Sequence, residues 1–131
     1  MRKLLALISL LAMLTACQES LEERAARETA EYNRKFCPQR VDASTTLDSI
    51  VFDKATLTKR SYFTLEGVAD DLAAAQANAP RIREALIADT KNSPNEKKFK
   101  EAGFSSYFVY WSASHKGQVL YETTITEADY Q

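Results

Sequence analysis

Cysteine and histidine, the side chains most readily used as nucleophile and base near neutral pH, are few in this 131-residue sequence. It contains two cysteines, Cys17 and Cys37, and a single histidine, His115. A catalytic thiol needs a nearby base, and His115 lies in a turn-like segment far along the chain from Cys37. We therefore predict that Cys37 is a small structural side chain at the end of a helix. A disulfide between chains, a redox role and a catalytic thiol are the alternatives.

Three aspartates, Asp42, Asp48 and Asp53, are close enough in sequence to converge on a cation or a substrate. They lack the Asp-x-Asp-x-Asp-Gly spacing of a calcium loop. Short polar side chains such as these also hydrogen-bond local backbone groups in turns and at strand ends. The sequence favours this structural role, and we predict no metal and no cofactor.

Aromatic side chains crowd two alternating segments, 104–112 and 118–126, which we predict to be the strands of a hairpin with Gly117 in its turn. A strand's two-residue period places Tyr107 and Trp111 on one face and Phe108 and Tyr110 on the other. Phe108 has the least polar of these rings, so its side is the predicted core face. We expect the other set to form an exposed surface that binds a partner, and cross-strand packing is the alternative. This surface consists of Tyr107, Trp111 and Tyr121.

The segment before Cys17 has the order of an export signal. Arg2 and Lys3 come first, and an almost unbroken apolar run follows over residues 4–14. A helix of that length spans roughly 16 Å, about half of the ~30 Å hydrocarbon core of a bilayer. The run is therefore predicted to be a signal peptide and not a membrane span.

Residues Leu14-Thr15-Ala16-Cys17 resemble a bacterial lipobox. The resemblance implies that the Cys17 thiol receives a diacylglyceryl group, that a peptidase cuts between Ala16 and Cys17, and that acyl chains then anchor the protein in a membrane. An ordinary signal peptide with an incidental cysteine is the alternative. Gln18 follows the cysteine, where an aspartate would mark retention in the inner membrane. If the source has two membranes, we expect the periplasmic leaflet of the outer one.

The mature chain predicted in this way is small and mildly acidic. Loss of residues 1–16 leaves 115 residues, which suffices for one domain. The loss of Arg2 and Lys3 reduces the 17 basic residues to 15 against 18 acidic ones, a formal charge of −3. Nucleic-acid binding needs a concentrated basic face, and the lysine cluster at 95–100 is predicted to be a solvated helix face. We therefore expect no nucleic-acid partner.

The order of elements predicts an α+β domain: an N-terminal helix, a β-hairpin, a helical region and a second β-hairpin, with the helices packed on one face of an antiparallel sheet. Pro80 either kinks the helical region or opens a new helix there. The expected elements before the final hairpin are a helix at 19–36, strands at 46–53 and 57–65, helical spacing at 68–86 and a short helix at 95–102 that Gly103 closes. The predicted divisions are a signal peptide at 1–16, a membrane-proximal helical segment at 17–30 and a single domain at 31–131.

Two stretches, CPQRVDASTTLDSI at 37–50 and SSYFVYWSASHKGQVLYETTIT at 105–126, resemble a group of small exported bacterial proteins. These share a Cys-Pro-x-x-Val-Asp-x-x-Thr-x-Leu-Asp motif followed by a strand pair, a helix and a closing hairpin. The resemblance implies the fold and the compartment, and it carries no activity. Within the motif, Val41 and Leu47 are predicted core residues.

Two classes of function remain open at this stage. The sequence favours a membrane-anchored cell-envelope lipoprotein that is not an enzyme and that binds an envelope protein partner or supports an assembly. The alternative is a small periplasmic enzyme or enzyme inhibitor that uses Cys37 or the region of Asp42, Asp48 and Asp53. A buried Cys37 and an uncovered aromatic face would favour the first class, whereas an exposed thiol of low pKa beside His115 would favour the second.

Overall fold

The structure is a computed structural model that describes residues 19–131, so the predicted export signal and Cys17 lie outside the described residues. The helices are α1 (Leu21–Phe36), α2 (Leu72–Asn92), α3 (Lys97–Glu101) and α4 (Glu127–Tyr130), with short 3-10 turns at Gly67–Ala69 and Pro94–Glu96. The strands are β1 (Gln39–Arg40), β2 (Thr45–Asp53), β3 (Thr58–Leu65), β4 (Ser105–Ser112) and β5 (Val119–Ile125).

Helix α1 is bounded by residues that begin and end a helix. The Ser20 hydroxyl accepts a hydrogen bond of 3.1 Å from the Glu23 amide and so caps the first turn. The helix stops at Cys37, because the following proline disfavours helical geometry at that residue. Between these ends the helix is continuous, and the buried Ala25 packs its first half on the domain. The division predicted at residues 30 and 31 falls inside this helix.

The described residues form one five-stranded sheet in the order β1-β2-β3-β4-β5. Neighbouring strands pair antiparallel except β3 and β4, which run parallel from Thr58 beside Ser105 to Leu65 beside Ser112. The sheet is therefore antiparallel, as predicted, at every pair except this one, where the prediction is corrected. Parallel neighbours need a long crossover connection, and the segment from Gly67 to Glu101 provides it through α2 and α3.

Both long helices pack on the same face of the sheet. Ile50, Ser61 and Phe108 lie side by side on adjacent strands, so they share a face. The Ile50 amide donates to Asn33 Oδ1 of α1 at 3.0 Å, and Phe108 lines a groove beneath α2. Helix α2 itself runs unbroken through Pro80. The predicted α+β class, with helices on one face of the sheet, is confirmed.

The core is small and lies mainly around β4 and β5. Ile125 and Val109 are the largest side chains of the described residues that are fully buried, at 0% and 1% exposure. Gly103 closes α3 at a φ of 78°, in the left-handed region that favours glycine, as the sequence predicted. The buried hydrophobic residues are Ala25, Leu47, Ala75, Phe104, Val109, Leu120 and Ile125.

The two ends of the sheet form distinct poles. At the first, which we call the α3 pole, the Ser105 amide donates to the Leu57 carbonyl at 3.0 Å, and the Arg24 guanidinium of α1 lies 6.0 Å from the Phe99 ring of α3. This pole contains the first turn of α1, the β2–β3 turn and α3. The Asp70 pole is the opposite end, which contains the end of α1, the 41–44 loop, the start of α2 and the β4–β5 turn.

Candidate functional site

The larger of two cavities among the described residues is an open groove between α2 and the sheet, near the Asp70 pole. Its volume is about 790 Å³. Aromatic side chains of the sheet form the floor, apolar residues of α2 form one wall, and two valines lie at the rim. These residues are Phe63, Phe108, Tyr110 and Tyr121 on the floor, Ala75, Ile82 and Leu86 on the wall, and Val41 and Val68 at the rim.

The floor of the groove is preorganised by aromatic stacking. The rings of Phe63 and Tyr110 stack with centroids 4.6 Å apart and an angle of 10° between their planes. Tyr121 lies beside them, with its ring centroid 6.2 Å from that of Tyr110. Burial raises the pKa of Tyr110 to about 12, and nearby Tyr121 adds to this effect, so the phenol is neutral at physiological pH. The floor therefore offers a rigid apolar surface with phenol hydroxyls as its polar atoms.

A cluster of hydrogen bonds around Asp70 fixes the loops at this pole. Its carboxylate accepts hydrogen bonds from the Ser112 hydroxyl at 2.5 Å and from the Ser114 amide at 2.9 Å. These bonds lower the pKa of Asp70, the Ser112 bond most of all. They join the segment that carries Val68 to the β4–β5 turn. Ser114, not Asp70, contacts the ring of His115, at 2.9 Å from Nδ1, so the cluster does not have the order of a catalytic triad.

The structure separates the three aromatic residues that the sequence grouped together. Tyr107 and Trp111 lie on the sheet face opposite α1 and α2, because they alternate with Phe108 and Tyr110 along β4. Tyr121 pairs directly with Tyr110, so it faces the helices and lines the groove. The predicted common surface of Tyr107, Trp111 and Tyr121 is corrected accordingly.

Polar side chains on the face opposite the helices bond mainly to one another. The Tyr107 hydroxyl donates to Glu122 Oε2 at 2.5 Å, and the Arg60 guanidinium lies 5.0 Å from the Tyr107 ring. On the same face the Thr64 hydroxyl donates to Asp48 Oδ2 at 2.6 Å. Desolvation and the bond to Glu122 raise the pKa of Tyr107 to about 12. The hydroxyls of Tyr107 and Thr64 are thus already engaged within this face, whereas the buried Nε of Arg60 has no hydrogen-bond partner among the described residues.

Cys37 has the surroundings of a structural thiol. It makes no disulfide within residues 19–131 and is half-buried at the end of α1. Burial raises the pKa of the thiol, and the negative charge of Asp48 raises it further. His115 lies in the β4–β5 turn, where its ring contacts Ser114. The structure thus supplies no base for Cys37 among the hydrogen bonds of the described residues.

The three aspartates of the motif region act separately. Asp42 Oδ1 accepts a hydrogen bond from the Ser44 amide at 2.8 Å, and Asp53 Oδ1 accepts one from the Ala55 amide at 3.0 Å. The carboxylates of Asp42 and Asp53 stabilise loops at opposite ends of β2. Asp48 lies on the face of the sheet opposite the helices, where it accepts a hydrogen bond from the Thr64 hydroxyl. Within residues 19–131 no group of three or more His, Cys, Asp or Glu side chains is arranged to hold a metal ion.

A second, smaller cavity of about 390 Å³ lies at the α3 pole between α1, α3 and the sheet. Phe52, Phe99 and Phe104 form much of its apolar lining. Lys59 and Glu96 form an ion pair across it, and burial lowers the pKa of Lys59. These two side chains neutralise each other, so neither offers a free charge to a ligand in the cavity.

The groove includes residues that the sequence assigned elsewhere. Val41 was a predicted core residue, yet 58% of its surface is exposed at the rim. Val68 was the first member of a predicted apolar helix face, yet it lies in the 3-10 turn before α2 and is 91% exposed. The sequence signal for a turn at this point is the glycine at position 67. Its φ of 63° in the structure lies in the left-handed region that favours glycine. The rim of the groove therefore includes two apolar residues, Val41 and Val68, that the sequence placed in the core and on a helix face.

These features define an α+β domain with an open apolar groove. The chain belongs to the family described as Domain of unknown function (DUF8479), which it matches over residues 20–121. Residues 1–18 match the prokaryotic membrane lipoprotein lipid attachment site, which supports a lipid-anchored location in the cell envelope. Among the described helices none has the length and apolar character that a membrane span requires. No curated protein matches the chain.

Two solved structures share the fold at very low sequence identity. One is a predicted secreted protein of Pseudomonas aeruginosa, with a TM-score of 0.67 and 7% identity, covering 87% of this chain and 100% of that one. The other is the pilotin EpsS of the Vibrio vulnificus type 2 secretion system, with a TM-score of 0.63 and 12% identity, covering 85% of this chain and 92% of that one. At these identities the likeness shows the fold alone.

Proposed function

We propose that this lipoprotein is a non-enzymatic binding module whose groove holds an apolar segment of another envelope protein. The main observation in support of this proposal is the open groove of about 790 Å³ with exposed valines at its rim. Exposed apolar surface beside a preformed apolar concavity is typical of sites that bind proteins. An amphipathic helix laid in the groove would cover Val41 and Val68 and contact the aromatic floor.

The shared fold with a pilotin supports the proposed class of partner. A pilotin is a component of a secretion system, and we propose a comparable accessory role here, in which the anchored chain binds one component of an envelope assembly. The residue after the lipidated cysteine is Gln18, which supports placement in the periplasmic leaflet of the outer membrane where the source has two membranes.

The sheet face with Tyr107 and Trp111 is the second candidate surface for the same function. Its aromatic rings favour it, because tyrosine and tryptophan are enriched at binding hot spots. The hydrogen bond from the Tyr107 hydroxyl to Glu122 counts against it, because the polar atom of this ring is already engaged. One experiment separates the two surfaces.

A photo-crosslinking amino acid placed at position 68 tests the groove in the intact envelope. We expect one defined crosslinked protein from position 68 and none from position 51. Val51 is the matched control, since it is another exposed valine, at 49%, but lies on the face opposite the helices. The substitution V68E should abolish capture of that protein because it places a charge at the apolar rim, and V51E should not.

The variant Trp111→Ala completes the comparison. Trp111 is only half-buried, so we expect the domain to remain folded. The loss in the free energy of unfolding should be smaller than the roughly 3–5 kcal/mol that removal of a fully buried ring costs. Capture that survives Trp111→Ala and fails in V68E supports the groove. The reverse pattern would move the binding function to the opposite face.

A further inference from the structure

The chain between the lipid anchor and the folded domain is short. Helix α1 begins at Leu21, and its cap, Ser20, is already fixed by the Glu23 amide. Fully extended, the four residues from Cys17 to Ser20 span at most about 14 Å. Helix α1, with 16 residues, is about 24 Å long. The tether is thus shorter than the helix that it joins, and only the surroundings of the first turn of α1 are certain to reach the lipid headgroups.

The surroundings of that first turn are the α3 pole. Arg24 in this turn lies over Phe99 of α3, and the neighbouring Ala25 lines the same cavity as Phe99. On α3, Lys97 and Lys98 are exposed. Neither lysine takes part in an ion pair among the described residues. Their ammonium groups are therefore available to the phosphates that phospholipid headgroups carry.

A domain lying on its side, with α1 along the membrane, is the competing orientation. Helix α1 carries four acidic and four basic residues, so it has no net charge. Several of these charges are already paired, as in Arg24 with Glu28 at 2.7 Å and Arg27 with Glu19 at 2.6 Å. Arg34 and Lys35 in the last turn of α1 take part in no ion pair among the described residues either, but the helix as a whole is neutral, whereas α3, with three lysines and one glutamate, is positively charged.

We propose that the α3 pole rests on the headgroup layer of the membrane, with Lys97 and Lys98 against lipid phosphates. The proposal rests on the lipid anchor and not on the binding function of the groove. Strand β4, with eight residues, is about 26 Å long and separates the two poles. In this orientation the rim valines of the groove, which lie near the Asp70 pole, are at the end of the domain farther from the bilayer.

Lysine footprinting of the lipid-anchored protein tests the orientation. The protein is inserted into preformed vesicles of phosphatidylethanolamine and phosphatidylglycerol, treated with a membrane-impermeant acetylating reagent and mapped by mass spectrometry. The matched control carries about 20 Gly and Ser residues inserted between Gln18 and Glu19, whose r.m.s. length of about 25 Å frees the domain from the surface. Lys35 at the far end of α1 and Lys116 in the β4–β5 turn are internal references.

We expect Lys97 and Lys98 to react several-fold more slowly with the natural tether than with the long one, while Lys35 and Lys116 react equally in both. Protection of Lys35 together with Lys97 would show the domain lying on α1 and would overturn the proposal. Equal reactivity of Lys97 and Lys98 with both tethers would overturn it as well. The V68E capture experiment tests the groove and has no bearing on these acetylation rates. Failure of the proposed function can therefore be distinguished from failure of the proposed orientation.

Discussion

The chemistry of Cys37 is set by two neighbours, apolar surface and a carboxylate. Burial disfavours the charged thiolate, and the negative charge of Asp48 disfavours it further, so the pKa of the thiol is raised. The thiolate is the form that attacks electrophiles and binds metals. A raised pKa therefore lowers the fraction of Cys37 that is thiolate at neutral pH, which suits a structural residue better than a nucleophile.

We expect alkylation of Cys37 by iodoacetamide in the folded protein to reach half its maximal rate at a pH above about 8.5, the usual thiol value. The rate is measured from the peptide that contains Cys37, over a range of pH. Asp48→Asn removes one of the two causes and should move the midpoint downward, whereas Asp53→Asn, at the far end of β2, should leave it in place. A midpoint below the usual value would contradict the structural role.

At the scale of elements, α2 is the wall of the groove, and its first turn depends on one side chain. The Asp71 carboxylate accepts a hydrogen bond of 3.1 Å from the Ala74 amide. We expect Asp71→Ala to lower the free energy of unfolding by about 1 kcal/mol, because an orphan amide loses its partner, and Asp71→Asn to change it little. Urea unfolding measures both. Equal losses in the two variants would show that the cap is not the cause.

Secondary structure was predictable wherever a simple period repeated. The helix predicted at 19–36 and the strands predicted at 104–112 and 118–126 agree with the structure to within about two residues at each end. Alternation within one strand carries no information on which strands become neighbours, or in what register. For this reason the parallel pairing of β3 with β4 was not predicted. The same limit, together with a bulge after Tyr110, misplaced Tyr121.

The groove was the least predictable feature because it is formed by residues from five separate segments. Its rim valines, Val41 and Val68, are ordinary apolar residues in the sequence, and only the paths of the loops expose them. The Asp70 cluster that fixes those loops joins residues more than 40 positions apart. No local pattern of charge or hydropathy contains such a contact.

At the scale of the whole molecule, the match to a lipoprotein lipid attachment site over residues 1–18 includes Cys17. We expect Cys17→Ser to abolish fatty-acid labelling and to leave the signal segment uncleaved, because the serine hydroxyl cannot replace the thiol that the lipoprotein pathway acylates. Radiolabelled palmitate and gel mobility report the result. Cys37→Ser is the matched control and should remain labelled. Labelling that persists in Cys17→Ser would contradict lipid attachment at this residue.

The parallel pair at the centre of the sheet also has a consequence for folding, which we infer from the sequence separation of its strands. The strands of the β2–β3 hairpin are close in sequence, as are those of β4–β5, but Thr58 meets Ser105 only after closure of a 47-residue loop. Non-local pairing of this kind is slow, since loop entropy is lost before any contact forms. A newly exported chain would therefore pass through a stage with two hairpins whose inner edges are unpaired, and such edges invite pairing with other chains. For this protein, chaperones of the cell envelope would matter most in the interval before β3 and β4 meet.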